Sequence, residues 1–362
     1  MGKHMFRKKV LAGLMIFLCS IVGTNVLARV GGHCSNCHTI HNMQNGSPVD
    51  AGGPQATLLN DSCVGCHSNS GTETIVSLGS TSIPIVFNAS EPTYPPTGTA
   101  SSTLAGGNFY WVAQAGGDAY GHNVYGISAQ DGTLSVAPGA STSCAPCHDS
   151  LAGSESTSGC KGCHVPAHHA DDSAEVVGAT GGWYRFLGEN PAMMGDPDTY
   201  GVKGIEEDNW EQNPASDNHN GYFGSSTVYT KSFWPYLPTY SIGQFCVGCH
   251  GNFHHEMNNA QPGDVSGAWI RHPSDVIIPN AIEYANYTVY NPLAPVAKTA
   301  LAGKKNSTVV EPGADLVTCI SCHRPHGSPY PDMLRWDYSN NNCKVGVSNA
   351  DCGCFVCHST KD

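Results

Sequence analysis

The chain has 362 residues, of which 40% are apolar and 13% charged, and its 29 acidic residues outweigh 17 basic ones for a formal net charge of −12. A surface this acidic repels nucleic acid phosphates and excludes nucleic acid as a partner. Forty-two glycines and 23 prolines leave no stretch with a sustained helical period and no repeat of fixed length, which excludes a solenoid.

At the N-terminus, Lys3, Arg7, Lys8 and Lys9 precede an apolar run from Val10 to Val22, and Val26-Leu27-Ala28 supplies a cleavage point. Residues 1–28 therefore read as a signal peptide, with a mature chain from about Arg29 that is secreted through the periplasm to the cell exterior or outer cell surface. The alternative is an uncleaved membrane anchor, for which the run is short. A lipid anchor on Cys19 is disfavoured by Phe17-Leu18 before it. Loss of residues 1–28 removes four basic and no acidic residues, leaving a formal charge of −16.

Seven copies of Cys-x-x-Cys-His follow in chain order: Cys34–Cys37–His38, Cys63–Cys66–His67, Cys144–Cys147–His148, Cys160–Cys163–His164, Cys246–Cys249–His250, Cys319–Cys322–His323 and Cys354–Cys357–His358. This is the attachment pattern of a c-type haem, in which two thiols add to the vinyl groups and the adjacent imidazole ligates the iron. Zinc sites or catalytic dithiols would use Cys-x-x-Cys without requiring His after every second cysteine. The cofactor expectation is seven covalently attached haems. Of the three cysteines outside the motifs, Cys19 leaves with the signal. Cys343 and Cys352 flank eight residues of a Gly/Asn/Ser-rich loop and are expected to form a disulfide in an oxidising compartment, free thiols being the alternative.

Between the motifs, Ser90–Ser102 and Asp196–Gly221 read as irregular loop. Ile83–Phe87 and Tyr287–Tyr290 suggest brief strands, and Ala56–Ser68, Ile242–Asn252 and Leu316–His323 suggest helical turns at the motifs. The expected fold is mostly irregular coil with short helices and few short strands, wrapped around a continuous chain of seven c-type haems. Such a polar, loop-rich polypeptide lacks a normal core, so haem faces must supply one and folding should require haem. Residues 29–362 read as a single heptahaem domain. It has a four-haem part (29–170), a haem-free segment (about 171–240) whose aromatics Trp183, Tyr184, Phe186, Trp210, Tyr222, Phe223, Phe233 and Trp234 pack over haem faces, and a three-haem part (241–362). An independent inserted domain is the alternative for the middle segment.

Electron carriers fill both axial positions of the iron. Beyond the signal the chain has 17 histidines, so ten remain for seven distal positions once the motif ligands are counted. Met43, Met193, Met194, Met257 and Met333 are more simply read as packing. His41, His168-His169, His254-His255 and His326 each follow a motif histidine by a short offset. On a helical turn such neighbours share a face about 5–6 Å apart, so the second histidine reaches the iron of an adjacent haem and not the far side of its own. His122 and His272 stand alone and are further distal candidates. With His41, His122, His168, His254, His272 and His326 assigned, the seventh ligand comes from His33, His169, His219 or His255.

Several stretches carry a resemblance: Gly31-Gly-His-Cys-Ser-Asn-Cys-His-Thr-Ile-His-Asn42, Gly121-His-Asn123, Tyr184-Arg-Phe-Leu-Gly188, Arg271-His-Pro273, Cys319-Ile-Ser-Cys-His-Arg-Pro-His326 and a motif close to the end. The chain resembles the filament-forming extracellular multihaem cytochromes of metal-reducing bacteria, of the OmcS type. The resemblance implies bis-histidine ligation, an irregular fold around stacked haems and polymerisation, with His41 ligating a haem of the next subunit and His122, His254, His272 and His326 acting as distal ligands. The family has six haems where this chain has seven motifs; of the closely spaced Cys144–His148 and Cys160–His164, one looks like the insertion, and His168 then stands for the ligand after the single family motif. The Cys343/Cys352 pair is a second departure.

The expected function is extracellular electron transfer by a non-enzymatic carrier, the subunit of a conductive homopolymer. Its other partners would be multihaem cytochromes and external acceptors such as metal oxides. A monomeric periplasmic or surface shuttle is the alternative. A multihaem oxyanion reductase would need an open distal site, and no Cys-x-x-Cys-Lys variant is present.

Overall fold

The computed structural model describes residues 30–38, 43–44, 47–48, 62–94, 103–139, 151–153, 159–188, 201–226, 239–250, 253, 272–339 and 342–361. Coil dominates these residues, broken by short helices and short strands. Glycine and proline at this density interrupt both hydrogen-bond ladders before they can propagate.

Each described Cys-x-x-Cys-His motif carries a helical turn. Helix α1 is Cys63–His67, α2 is Ile242–Val247 and α3 is Cys354–Cys357, while 3-10 turns cover Cys34–Asn36, Gly159–Gly162 and Cys319–Ser321. In five motifs the His backbone N–H bonds the carbonyl of the first cysteine: His38 to Cys34 (2.8 Å), His164 to Cys160 (2.9 Å), His250 to Cys246 (3.0 Å), His323 to Cys319 (3.0 Å) and His358 to Cys354 (2.9 Å). One closed turn thus brings both thiols and the imidazole to one side. The Ser241 hydroxyl caps α2 by accepting from the Gln244 N–H at 3.1 Å.

Two hairpin-like pairs precede the main sheet: β1 (Met43–Gln44) with β2 (Ser47–Pro48), and β4 (Ile75–Leu78) with β5 (Thr81–Pro84), both antiparallel. Strand β3 (Ser68–Asn69) runs on directly from α1 and pairs in parallel with β6 (Phe87–Asn88). The expected strand over Ile83–Phe87 is therefore split, since β5 and β6 answer to different partners. Tyr287–Tyr290 is not a strand: Tyr287 closes a 3-10 turn, and Val289 makes a single bridge to Val309. Leu316–Val317, expected in a helical turn, instead forms β11.

A five-stranded sheet has the order β7 (Gly204–Ile205), β8 (Gly221–Phe223), β10 (Ala297–Lys298), β11, β9 (Val276–Ile277). It stitches the middle segment, read as loop over Asp196–Gly221, into the C-terminal part. Tyr184, Val202 and Tyr222 pack there with Ile242, Phe245, Ala297 and Ile320. Apolar residues from three parts of the chain share this cluster because none has enough neighbours of its own to bury them. Trp183 is also buried and stacks on Tyr240 at 5.5 Å.

Across β10 and the start of β11 lies a buried ion pair. Lys298 Nζ is 2.6 Å from Asp315 Oδ2 and donates also to the Val309 carbonyl, with side-chain exposures of 9% and 3%. Asp315 Oδ2 also accepts from the Glu311 N–H at 2.9 Å. Asp315→Ala strands the ammonium in the interior and is expected to cost about 3–5 kcal/mol, read as a lower thermal midpoint of the holoprotein; a Lys298→Met/Asp315→Leu double variant should regain most of that loss.

A backbone crossing joins the N- and C-terminal parts. The Gly107 Cβ position would lie 1.9 Å from the Gly327 carbonyl, and both glycines have positive φ (+86° and +132°). Only glycine permits this approach. The crossing sets two histidines in place: His326 N–H donates to the Gly106 carbonyl at 2.7 Å, and His122 Nδ1 donates to the Pro325 carbonyl at 2.7 Å. Near the C-terminus, Cys343 and Cys352 form a disulfide with a Cα–Cα distance of 5.4 Å. Cys352 is buried with Leu293 and Trp336.

Candidate haem-binding channel

The side chains leave a continuous, partly open channel of about 3360 Å³ between them. A single small-molecule site occupies about 300–1,000 Å³, so this interior is shaped for several large groups. It is lined by the cysteines and histidines of the motifs at 34–38, 63–67, 160–164, 246–250 and 319–323, and by Cys354 of the last motif.

Within and around it, imidazoles distant in sequence face each other in pairs. Ring centroids are 6.5 Å apart for His38 and His169, 6.3 Å for His67 and His168, and 6.1 Å for His164 and His326. The His122–His250 pair is at 6.0 Å and His272–His358 at 6.2 Å. Two imidazoles ligating one metal from opposite sides, each at about 2 Å from nitrogen to metal, place their centroids about 6 Å apart. The five pairs fit that spacing.

The outer edges of these rings are anchored. Nδ1 donates to a backbone carbonyl in His67 (Pro84, 2.8 Å), His164 (Arg185, 3.0 Å), His250 (Pro138, 2.8 Å) and His323 (Asp332, 2.7 Å). His122 and His272 do the same to Pro325 and Pro273. His358 differs: its Nδ1 lies 2.9 Å from the Glu283 carboxylate. Such donation fixes the tautomer with the lone pair on Nε2, the form that ligates a metal. Arg185 and Asp332 reach their histidines from left-handed backbone conformations (φ 49° and 59°). Non-glycine residues adopt these rarely, and such strain concentrates at functional sites. His326 Nδ1 is buried without a hydrogen-bond partner, its ring stacked on Phe109 at 4.7 Å.

Electrostatics agree with neutral ligands. Burial pushes His326 down to about 3 and His250 to about 4, and lowers His67, His122, His164, His272 and His323. These imidazoles stay uncharged at neutral pH and keep the lone pair a metal needs. Burial likewise pushes the Cys163, Cys322 and Cys357 thiols up to about 12. Reactive dithiols and zinc thiolates require the opposite shift. Among the described residues, the close group of three ligand atoms is Cys343, Cys352 and Cys354, with their sulfurs within 4.8 Å, and two of these are already joined as a disulfide. The residues present fit haem better than zinc.

The short-offset histidines do not face their own motif. His168 and His169 follow His164 yet lie opposite His67 and His38, and His326 follows His323 yet lies opposite His164. His33 is exposed and precedes the 3-10 turn that starts at Cys34, its side chain making no capping bond. His219 is set apart from the channel: Nδ1 and Nε2 both meet backbone carbonyls, of Asn220 at 2.7 Å and Ser307 at 3.0 Å, and the ring stacks on Tyr290 at 3.4 Å. Both nitrogens are thereby engaged. His41, Cys144, Cys147, His148, His254 and His255 lie outside the described residues. Glu283 escaped the sequence reading, because 75 positions separate it from His358 and no local pattern links them.

Comparison with known proteins accords with this geometry. A family model for a doubled CXXCH motif matches residues 311–362. The C-type cytochrome OmcS of Geobacter sulfurreducens is 25% identical over 369 aligned positions, covering 84% of this chain and 78% of OmcS. A cryo-EM structure of the OmcS nanowires from Geobacter sulfurreducens matches with a TM-score of 0.51 at 19% identity, over 89% of this chain and 87% of that one. An outer membrane cytochrome S filament structure from the same organism gives 0.47 over the same shares. A similarity to OmcS running through most of the chain, a CXXCH motif doubled at its C-terminal end, and imidazoles paired across a channel lined by motif cysteines make the chain OmcS-like.

Proposed function

We propose that this chain carries seven covalently attached haems and passes electrons outside the cell as the subunit of a conductive filament. The observation that carries the reading is the set of five facing imidazole pairs at 6.0–6.5 Å, four of them with both rings lining one channel. Haem iron held between two imidazoles supplies a one-electron couple with little change of geometry. The protein does the rest. Cysteines of each motif fix the haem edge, motif histidines take one axial position, and His169, His168, His326, His122 and His272 take the other at His38, His67, His164, His250 and His358. His148 and His323 then remain for His254 and for His41 reaching in from a neighbouring copy. Because all axial positions are filled, small molecules are kept off the iron, which favours a carrier over a reductase.

Neighbouring motifs are close enough to influence one another electrostatically: Cys37 with Cys66, Cys163 with Cys249, and Cys322 with both Cys354 and Cys357. A row of this kind suits hopping from site to site. The chain matured in a host competent for haem attachment should show a mass with seven haem additions, a low-spin six-coordinate spectrum that carbon monoxide does not change rapidly, and filaments by electron microscopy. Discrete particles at high concentration would favour the monomeric shuttle. Rapid carbon monoxide binding to native reduced protein would favour the reductase.

A further inference from the structure

We propose that Glu283 sets the electron affinity of the seventh site, making it the hardest of the row to reduce; this rests on the reading above that His358 is an iron ligand. Four other motif imidazoles, at His67, His164, His250 and His323, donate Nδ1–H to neutral backbone carbonyls. His358 donates to a carboxylate at 2.9 Å. A full negative charge draws the Nδ1 proton more strongly than a carbonyl dipole, so the ring gains imidazolate character and Nε2 becomes a stronger donor. A stronger axial donor favours the oxidised metal and lowers the potential of that site relative to its neighbours.

The carboxylate is built into place. Glu283 lies in the 3-10 turn Ile282–Asn286, and its side chain is only 7% exposed. Its Oε2 accepts from the Thr360 hydroxyl at 2.7 Å, and its own carbonyl accepts from the Ser359 hydroxyl at 2.7 Å. Asn286 Nδ2 donates to the same Ser359 hydroxyl at 2.9 Å, and the Tyr284 ring meets His358 edge-on at 5.1 Å. The two residues after His358 are therefore used to orient the acceptor of its Nδ1. Lys361, the cation facing the carboxylate, stands 3.6 Å away with half its side chain in solvent. Water screens it, so it offsets only part of the charge that His358 senses.

The motif at Cys354–His358 is the last in the chain, and its cysteines lie beside Cys322 of the preceding motif. A hard-to-reduce site beside that motif passes an electron on to its neighbour and does not hold it.

Glu283→Gln retains an acceptor oxygen and removes the charge, whereas Lys361→Met removes the screening cation. Each variant is purified with its haems, its haem content is fixed by mass, and it is titrated by spectroelectrochemistry. With Glu283→Gln the lowest of the midpoint potentials should rise into the range of the others while the rest stay put. With Lys361→Met it should fall. A Glu283→Gln protein with full haem content and an unchanged titration overturns the proposal, as does a uniform drift of all potentials. If Glu283→Gln does not retain the seventh haem, Lys361→Met decides alone, a downward shift supporting the proposal and no shift overturning it. Peptide masses that show no haem on Cys354 and Cys357 in the wild-type protein would instead defeat the underlying ligand reading, an outcome distinct from a failed shift.

Discussion

Produced in a host that cannot attach haem, the chain will fail to hold this fold. Its side chains line a partly open space of about 3360 Å³. A folded domain is stable by only about 5–15 kcal/mol, so the apolar surface along this space must be covered by the cofactor if the fold is to hold. The clusters around Tyr184 and Tyr222, around Tyr287 and Tyr290, and around Phe109 and Val112 are each small, and each meets motif cysteines at its edge. Without the cofactor these patches face nothing. The expected result is complete digestion at a protease concentration that leaves the haem-loaded protein intact. Equal protease resistance in the two preparations would show that the polypeptide has a core of its own.

The second large effect is expected at His41. Replacing it by alanine should leave haem content at or near the wild-type level, because thioether attachment uses Cys34, Cys37 and His38 and not His41. Filaments should nevertheless disappear. A head-to-tail interface is repeated once per subunit, so a loss at one contact is felt along the whole polymer. Losing even an outer-shell partner of a metal costs about 10–100-fold in affinity, and losing a ligand costs more. Micrographs of His41→Ala should show separate particles at concentrations where the wild type shows fibres. One iron per subunit would lose its sixth ligand, so the reduced variant should bind carbon monoxide where the wild type does not. Filaments of ordinary length in His41→Ala would remove the inter-subunit role.

Much of the local chemistry was readable from residue order, and the structure shows why. Cys-x-x-Cys-His closes a single helical turn, with the His N–H bonded to the first cysteine's carbonyl, so the attachment geometry is contained within five consecutive residues. Coil with brief helices and strands likewise followed from glycine and proline density. Helical spacing alone turns a histidine three or four places after a motif toward another site; His168 and His326 lie opposite imidazoles of other motifs, and so does His169, five places after His164. Local reading failed where long-range pairing decided the outcome. Leu316–Val317 continues toward a motif turn but is captured as a strand by Val276–Ile277 and Ala297. Tyr287–Tyr290 alternates like a strand but finds only one bridge.

Which imidazoles meet was beyond any such reading. The five facing pairs join positions between 86 and 162 residues apart. His169 and His219 look alike as spare histidines, yet one faces His38 and the other has backbone carbonyls beside both ring nitrogens. Glu283 carries no motif at all and acquires its place only when the turn at Ile282–Asn286 meets the residues after His358. Groups held within one turn are dictated by neighbours along the chain, so residue order was sufficient to set the two cysteines and the histidine of each described motif on one turn. The imidazoles facing five of the motif histidines and the carboxylate behind His358 come from segments brought together by shared burial, and only the folded arrangement, with its contacts across long loops, could select them.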